Sequence, residues 1–227
     1  MEQYSLTAKE FIYLCLNAGA KKVYGVEDEF KKVSKDHLTT EFSNVQKELV
    51  QKRYMRIDFD GNVTVKKKVL DNIRICALCD RVVLFAASGD TGNKKRNYYF
   101  KGDEAVCLIG EAGTYLLERV EKETVTEAIL KEMSQVKSTI SKEKVSFTVK
   151  QREVQKVLRE KNIRKYHYYS LVQVNKKEDK RVHSLFFVDT NKGLLSAKSK
   201  IVGLDNVMDM NSCSVSEMKN SVQELLK

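Results

Sequence analysis

From Thr7 onward, Phe11, Leu14, Cys15 and Ala18 recur at three- and four-residue spacing, the stripe of an amphipathic helix. Thr7 and Glu10 stand at capping-box spacing ahead of it, and Gly19 suits its C-terminal stop. A second helical region, roughly 27–52, sets Phe42, Val45 and Leu49 on one face. The stretch "YMRIDFDGNVTV" then predicts a short hairpin with Asp60-Gly61 as a two-residue turn. Residues 66–79 return to helical spacing through Val69, Ile73 and Cys76.

Beyond Asp80 the period changes from helical to strand-like. "RVVLFAAS", "NYYFKG", "EAVCLIG" and "TYLLERV" are short β-rich runs between turn residues, and "TVTEAILKEM" is a helix with Thr124 and Glu127 at capping-box spacing. A polar stretch, 134–147, predicts a connector between an N-terminal half (1–133) and a C-terminal half (148–227). The second half repeats the plan. Thr148 and Gln151 open a helix carrying Val154, Val157 and Leu158; "YHYYSLVQV" and "RVHSLFFVD" are strands; "SVSEMKNSVQELL" is a helix capped by Ser214 and Glu217. Lys101-Gly102 precedes Lys192-Gly193 by 91 residues, and Thr124–Glu127 precedes Ser214–Glu217 by 90. Two landmarks with nearly one offset predict an internal repeat in a single α+β domain, residues near 81–133 matching those near 166–227.

The segment "SGDTGNKKR" (88–96) follows an apolar strand and looks at first like a phosphate loop. Gly89 and Gly92 stand too close together for that, no Ser or Thr follows Lys94, and the next segment is β-rich, not a helix N-terminus. It reads as a hairpin loop. The chain's net charge of +10 points to acidic partners, but the excess is mostly Lys interspersed with acids, which describes a solvated surface better than a nucleic-acid face. No apolar run approaches the roughly 18 residues of a membrane span, and the N-terminus lacks a signal-peptide pattern, so a cytoplasmic protein without stable membrane insertion is expected.

Candidate chemistry is sparse. The five cysteines are scattered, and Cys76 and Cys79 form the single CxxC with no second ligand pair, so buried thiols are expected in place of a metal site. The strand register centred near residue 177 sets His167 opposite Val188 and His183 opposite Val172, which keeps the two histidines apart. Asp58 and Asp60 read as turn aspartates. No catalytic constellation, cofactor, metal or small-molecule substrate is expected, and the protein reads as a non-enzyme. One alternative treats the helices before "LVQKRYMRIDFDGNVTV" as a winged-helix, nucleic-acid-binding regulator, but its recognition helix "LTTEFSNVQKELVQK" would carry no Arg.

The segments "SLTAKEFIYLCLNAGA", "ELVQKRYMRIDFDGNVTV", "VLDNIRICALCDRVVLFAA" and "YYFKGDEAVCLI", and the element order of the second half, resemble the EspG-like chaperones of type VII (ESX/Ess) secretion, in a low-GC Gram-positive version. The resemblance implies a central antiparallel sheet with quasi-twofold symmetry, flanked by helical bundles. It also implies a cytosolic chaperone or adaptor that binds the apolar tip of a secreted helical-hairpin protein. By the same analogy the 88–96 loop, one sheet face and the C-terminal helices form the binding surface. Loop residues Asp90, Asn93, Lys94, Lys95 and Arg96 and sheet residues Tyr98 and Phe100 carry over. The lysine-rich loops depart from the mycobacterial members and imply a WXG- or LXG-type substrate in place of a PE–PPE pair.

Overall fold

The computed structural model describes residues 2–89, 92–111, 113–134, 144–176, 180–202 and 205–226. In chain order the elements begin with β1 (Gln3–Thr7), α1 (Ala8–Asn17), α2 (Lys35–Gln51), β2 (Met55–Ile57), β3 (Val63–Val65) and α3 (Lys67–Ala77). A four-strand run follows, β4 (Arg81–Gly89), β5 (Gly92–Lys101), β6 (Glu104–Glu111) and β7 (Thr114–Glu121), and then α4 (Val125–Met133). The second half holds β8 (Ser146–Lys150), α5 (Val154–Glu160), β9 (Lys165–Asn175), β10 (Lys180–Thr190), β11 (Gly193–Val202), β12 (Asp205–Ser212) and α6 (Val215–Leu226). Ten strands form one sheet in the order β1-β7-β6-β5-β4-β9-β10-β11-β12-β8, and β2 pairs with β3 separately.

Read inward from either end, that order is the same. An edge strand that leads into a helix (β1 or β8) flanks the last strand of a four-strand meander, and the meander runs back to its first strand (β4 or β9). Each meander ends in a helix, α4 or α6. Gly102 and Gly193, the repeat landmarks, both sit at turns with positive φ, +58° and +111°. The α+β class and the large antiparallel sheet are therefore as the sequence predicts. The first half differs by inserting α2, the small hairpin and α3 between its first helix and its meander.

The chain divides into two compact units. The first comprises Met1–Val82, Arg96–Lys122 and Asn175–Glu178; the second comprises Val83–Lys95, Glu123–Val174 and Asp179–Lys227. In the first unit α1 packs against α2 and α3, and α3 lies on β6 and β7. α1 buries Phe11, Leu14 and Cys15, with the Phe11 ring against Tyr99 of β5, and α3 buries Val69, Ile73 and Cys76. Each such large side chain is worth about 1.5–3 kcal/mol of transfer from water. The Thr7 capping box forms as expected, and Glu10 goes further. Its fully buried carboxylate accepts from the Thr7 amide at 2.7 Å and from Lys52 Nζ at 2.6 Å, which ties the start of α1 to the end of α2.

Several local expectations are corrected. The β2–β3 turn holds five residues, because Ile57 pairs with Val63. Asp58 closes this loop by accepting from the amides of Asp60 and Asn62 and from Asn62 Nδ2. The Asn62 side chain, with the loop amides, holds the Asp58 carboxyl below its ordinary pKa. Thr124 does not cap α4, because it already has helical backbone angles within a 3₁₀ turn. Thr148 opens no helix: it lies in β8, where its Oγ1 donates to Asp209 Oδ1 at 2.6 Å. The box at Ser214 and Glu217 forms, with reciprocal bonds of 2.7 and 3.1 Å.

Candidate protein-binding surface

The segment 88–96 is mostly strand. β4 extends through Gly89 and β5 begins at Gly92, so the predicted loop contracts to its two tip residues. Asp90 lies outside the described residues. Asn93 and Lys95 are exposed, while Lys94 and Arg96 are half-buried, as alternation along a strand dictates. Lys94 Nζ is held by Glu132 of α4 at 2.7 Å. The two sheet residues carried over by resemblance are corrected in their setting. Tyr98 is 2% exposed and Phe100 4% exposed, and the Arg81 guanidinium covers the Phe100 ring at 4.6 Å. Both belong to the core of the first unit, where the inward phase of β5 places them.

The tip end of this hairpin, where β4 stops at Gly89, contains a contact the sequence reading missed. His167 of β9 is buried, its Nδ1 lies 3.2 Å from Oδ2 of the fully buried Asp189 on β10, and its ring stacks near Tyr169. Gly89 lies against the free edge of that imidazole: a Cβ added there would come within 2.1 Å of His167 Cδ2. Gly89 therefore serves close backbone approach, not phosphate binding. The period-2 burial of "YHYYSL" was the available signal for an inward His167, and Asp189, just ahead of a turn, gave none. Burial raises the Tyr169 phenol to about 12, with help from Asp189 and Glu132. His183 is exposed and plays no part.

The two faces of the second unit's sheet are covered unequally. On one face Phe187, Asp189 and Tyr169 are sealed, with α6 packed against β10 and α4 against α6. On the other, Val188, Leu195, Ala197 and Met210 form a small core, with Tyr168, Phe186 and Met208 only half-buried around it. The short α5 covers this second face only in part, contributing Val154 and Leu158. What remains is a groove of about 540 Å³, floored by Tyr168, Phe186, Met208 and Met210. The Tyr168 and Phe186 rings stack at 6.4 Å along it. A groove on a sheet whose aromatic and Met side chains stand beside polar Gln151, Gln155, Ser184 and Asn206 suits an amphipathic helix.

Cys76 and Cys79 are buried, with the Cys79 thiol 3.2 Å from the Cys76 carbonyl, and Cys15 of α1 is buried with them. Burial pushes all three thiols up in pKa, away from the reactive thiolate. Among the described residues no cluster of three or more His, Cys, Asp or Glu is placed to hold a metal, and no helix is long and apolar enough to cross a membrane.

The antiparallel sheet, built from two meanders that each have an edge strand and a terminal helix, has a counterpart among solved structures. The chain is similar to the Mycobacterium tuberculosis type VII secretion system chaperone EspG5, determined in complex with a PE25–PPE41 dimer. The match has a TM-score of 0.60 at 9% identity and covers 98% of this chain and 95% of that one. No family model matches the sequence, and no curated protein matches it.

Proposed function

We propose that this protein is a cytoplasmic chaperone or adaptor of a type VII secretion system. It holds the apolar tip of a secreted helical-hairpin protein, of the WXG or LXG type, and keeps it from self-associating before export. The observation that carries the reading is the EspG fold running through nearly the whole chain, shared with a chaperone solved together with helical partners. The half-covered sheet face of the second unit supports it, since half-buried Phe186 and Met208 offer apolar surface that a partner could cover. The hairpin residues Asn93, Lys94, Lys95 and Arg96 act at its polar rim. The role is non-enzymatic, and the Gram-positive branch is part of the same proposal. The winged-helix alternative loses its footing, because its supposed wing, β2–β3, precedes α3 within a larger fold and its recognition helix buries Val45 and Leu49.

Co-expression with the small helical proteins encoded beside its gene tests this. A stable complex on size exclusion, with less self-association of the helical protein, is expected. A folded chain that captures none of them would overturn the proposal.

A further inference from the structure

The open groove has a chemically distinct mouth. At Gln151 and Asn206 it adjoins a second hollow, about 370 Å³, whose other lining residues are Lys150 and Arg152. On its far side Lys165 lines the groove itself. These three cations stand on a basic stretch of the chain. Between Lys150 and Lys165 the chain carries seven basic and two acidic residues, a net +5, so sixteen residues hold half of the chain's +10. The two acids are engaged locally and weakly, Glu153 at 3.7 Å from Arg152 and Glu160 at 3.8 Å from Lys156, on exposed side chains. An apolar floor beside a concentrated positive field selects a two-part ligand.

We propose that this groove recognises an apolar helical segment flanked by carboxylates. The apolar side chains seat on Tyr168, Phe186, Met208 and Met210, and the flanking Asp or Glu residues face Lys150, Arg152 and Lys165. This rests on the chaperone reading and names the part of the substrate that the second unit selects. Phosphate-bearing ligands share the charge but not the floor. A nucleic-acid strand or a lipid headgroup has no use for a Met-lined groove beside the basic hollow, whereas an amphipathic helix uses both.

The test uses the full chain and two fluorescent helical peptides with the same Leu/Met face, one with Glu flanks and one with Lys flanks. In about 0.05 M salt the Glu-flanked peptide should bind about tenfold more tightly, and in about 0.5 M salt the ratio should shrink towards unity. Arg152→Glu with Lys165→Glu, both exposed, should erase or invert the preference, while Met208→Asp should weaken both peptides. Equal binding of the two peptides at low salt overturns the proposal, as does a preference unchanged in the charge variant. Retention of a DNA duplex or of phosphatidylglycerol vesicles through Arg152 and Lys165, with no peptide binding, overturns it too. Failure here is separable from failure of the chaperone reading. If neighbouring helical proteins are captured equally by wild type and both variants, the chaperone stands and its site lies elsewhere. If wild type captures none, the chaperone reading itself falls.

Discussion

Gly89→Ala isolates the contact at the tip of the β4–β5 hairpin. The new methyl would lie 2.1 Å from His167 Cδ2, 2.8 Å from Nε2 and 3.1 Å from Cγ, all side-chain atoms. The ring has little room to yield, being 5% exposed, bonded to Asp189 and stacked near Tyr169. Either the strand shifts, at an overpacking cost of about 1–3 kcal/mol, or His167 turns and the buried carboxylate loses a partner, at about 1.5–3 kcal/mol. A loss of about 3 kcal/mol is expected, or roughly 6–12 °C in Tm for a chain of this size. Urea and thermal unfolding followed by circular dichroism measure it. His167→Asn removes the clashing edge but keeps a donor for Asp189. In that background Gly89→Ala should cost at least about 1 kcal/mol less, a coupling read from the double-mutant cycle. Gly92→Ala is the control. Gly92 has φ +92° and open space around it, so alanine there costs backbone strain of about 1 kcal/mol that His167→Asn cannot relieve. A Gly89→Ala protein within about 0.5 kcal/mol of wild type, or one not relieved by His167→Asn, would refute the steric argument.

Lys52→Met should destabilise by about 2–3 kcal/mol in thermal unfolding, because it strands the buried Glu10 carboxylate; Glu10→Gln in the same background should restore part of the loss. Phe59 protrudes fully from the β2–β3 loop, so Phe59→Ala should leave unfolding within about 0.5 kcal/mol, and a larger effect would mean it packs on something. At pH 8, thiol labelling of the folded chain should stay slow at Cys15, Cys76, Cys79 and Cys107, since burial raises every one of these thiols and depletes the thiolate; elemental analysis should find no stoichiometric zinc. Lys68, then Lys66, lower the Glu2 carboxyl to about 2. A depressed acid stabilises the fold above its unfolded pKa of roughly 4.5 and loses that contribution as pH falls towards 2. An NMR titration of Glu2 with a midpoint near 4.5 would contradict the tether.

The helices and long strands were legible because each carries a period over many residues. Phe11, Leu14 and Cys15 repeat at helical spacing for two turns, and "NYYFKG" and "EAVCLIG" are bounded by turn residues that fix their ends. The five-residue edge strands were not read as strands. In "QYSLT" and "SFTVK" only two inward residues alternate, Tyr4 with Leu6 and Phe147 with Val149, and a neighbouring capping signal competes for the same residues. At Thr7 the cap and the strand end coexist; at Thr148 the hydroxyl found Asp209 across the sheet instead. Propensity is local, while pairing with β7 or β12 is set by residues more than 55 positions away.

The same limit explains the surface. The resemblance carried Tyr98 and Phe100 to the interface, and their aromatic character marks them for burial without saying what buries them. Both are buried inside the chain itself, Phe100 under the Arg81 guanidinium. Phe186 and Met208 have the same apolar character, yet they remain half-buried because α5 has only seven residues, about 10 Å of helix, and ends before it can roof the sheet. The first half places three helices over its sheet segments and connections, α1, α2 and α3, where the second half has α5 alone between its edge strand and its meander. The shorter lid of the second half leaves the face of Val188, Leu195 and Met210 partly open. That asymmetry, and the seven basic residues gathered around the shortened lid, is why the second unit, and not the more aromatic β5, is where a helical partner is expected to sit.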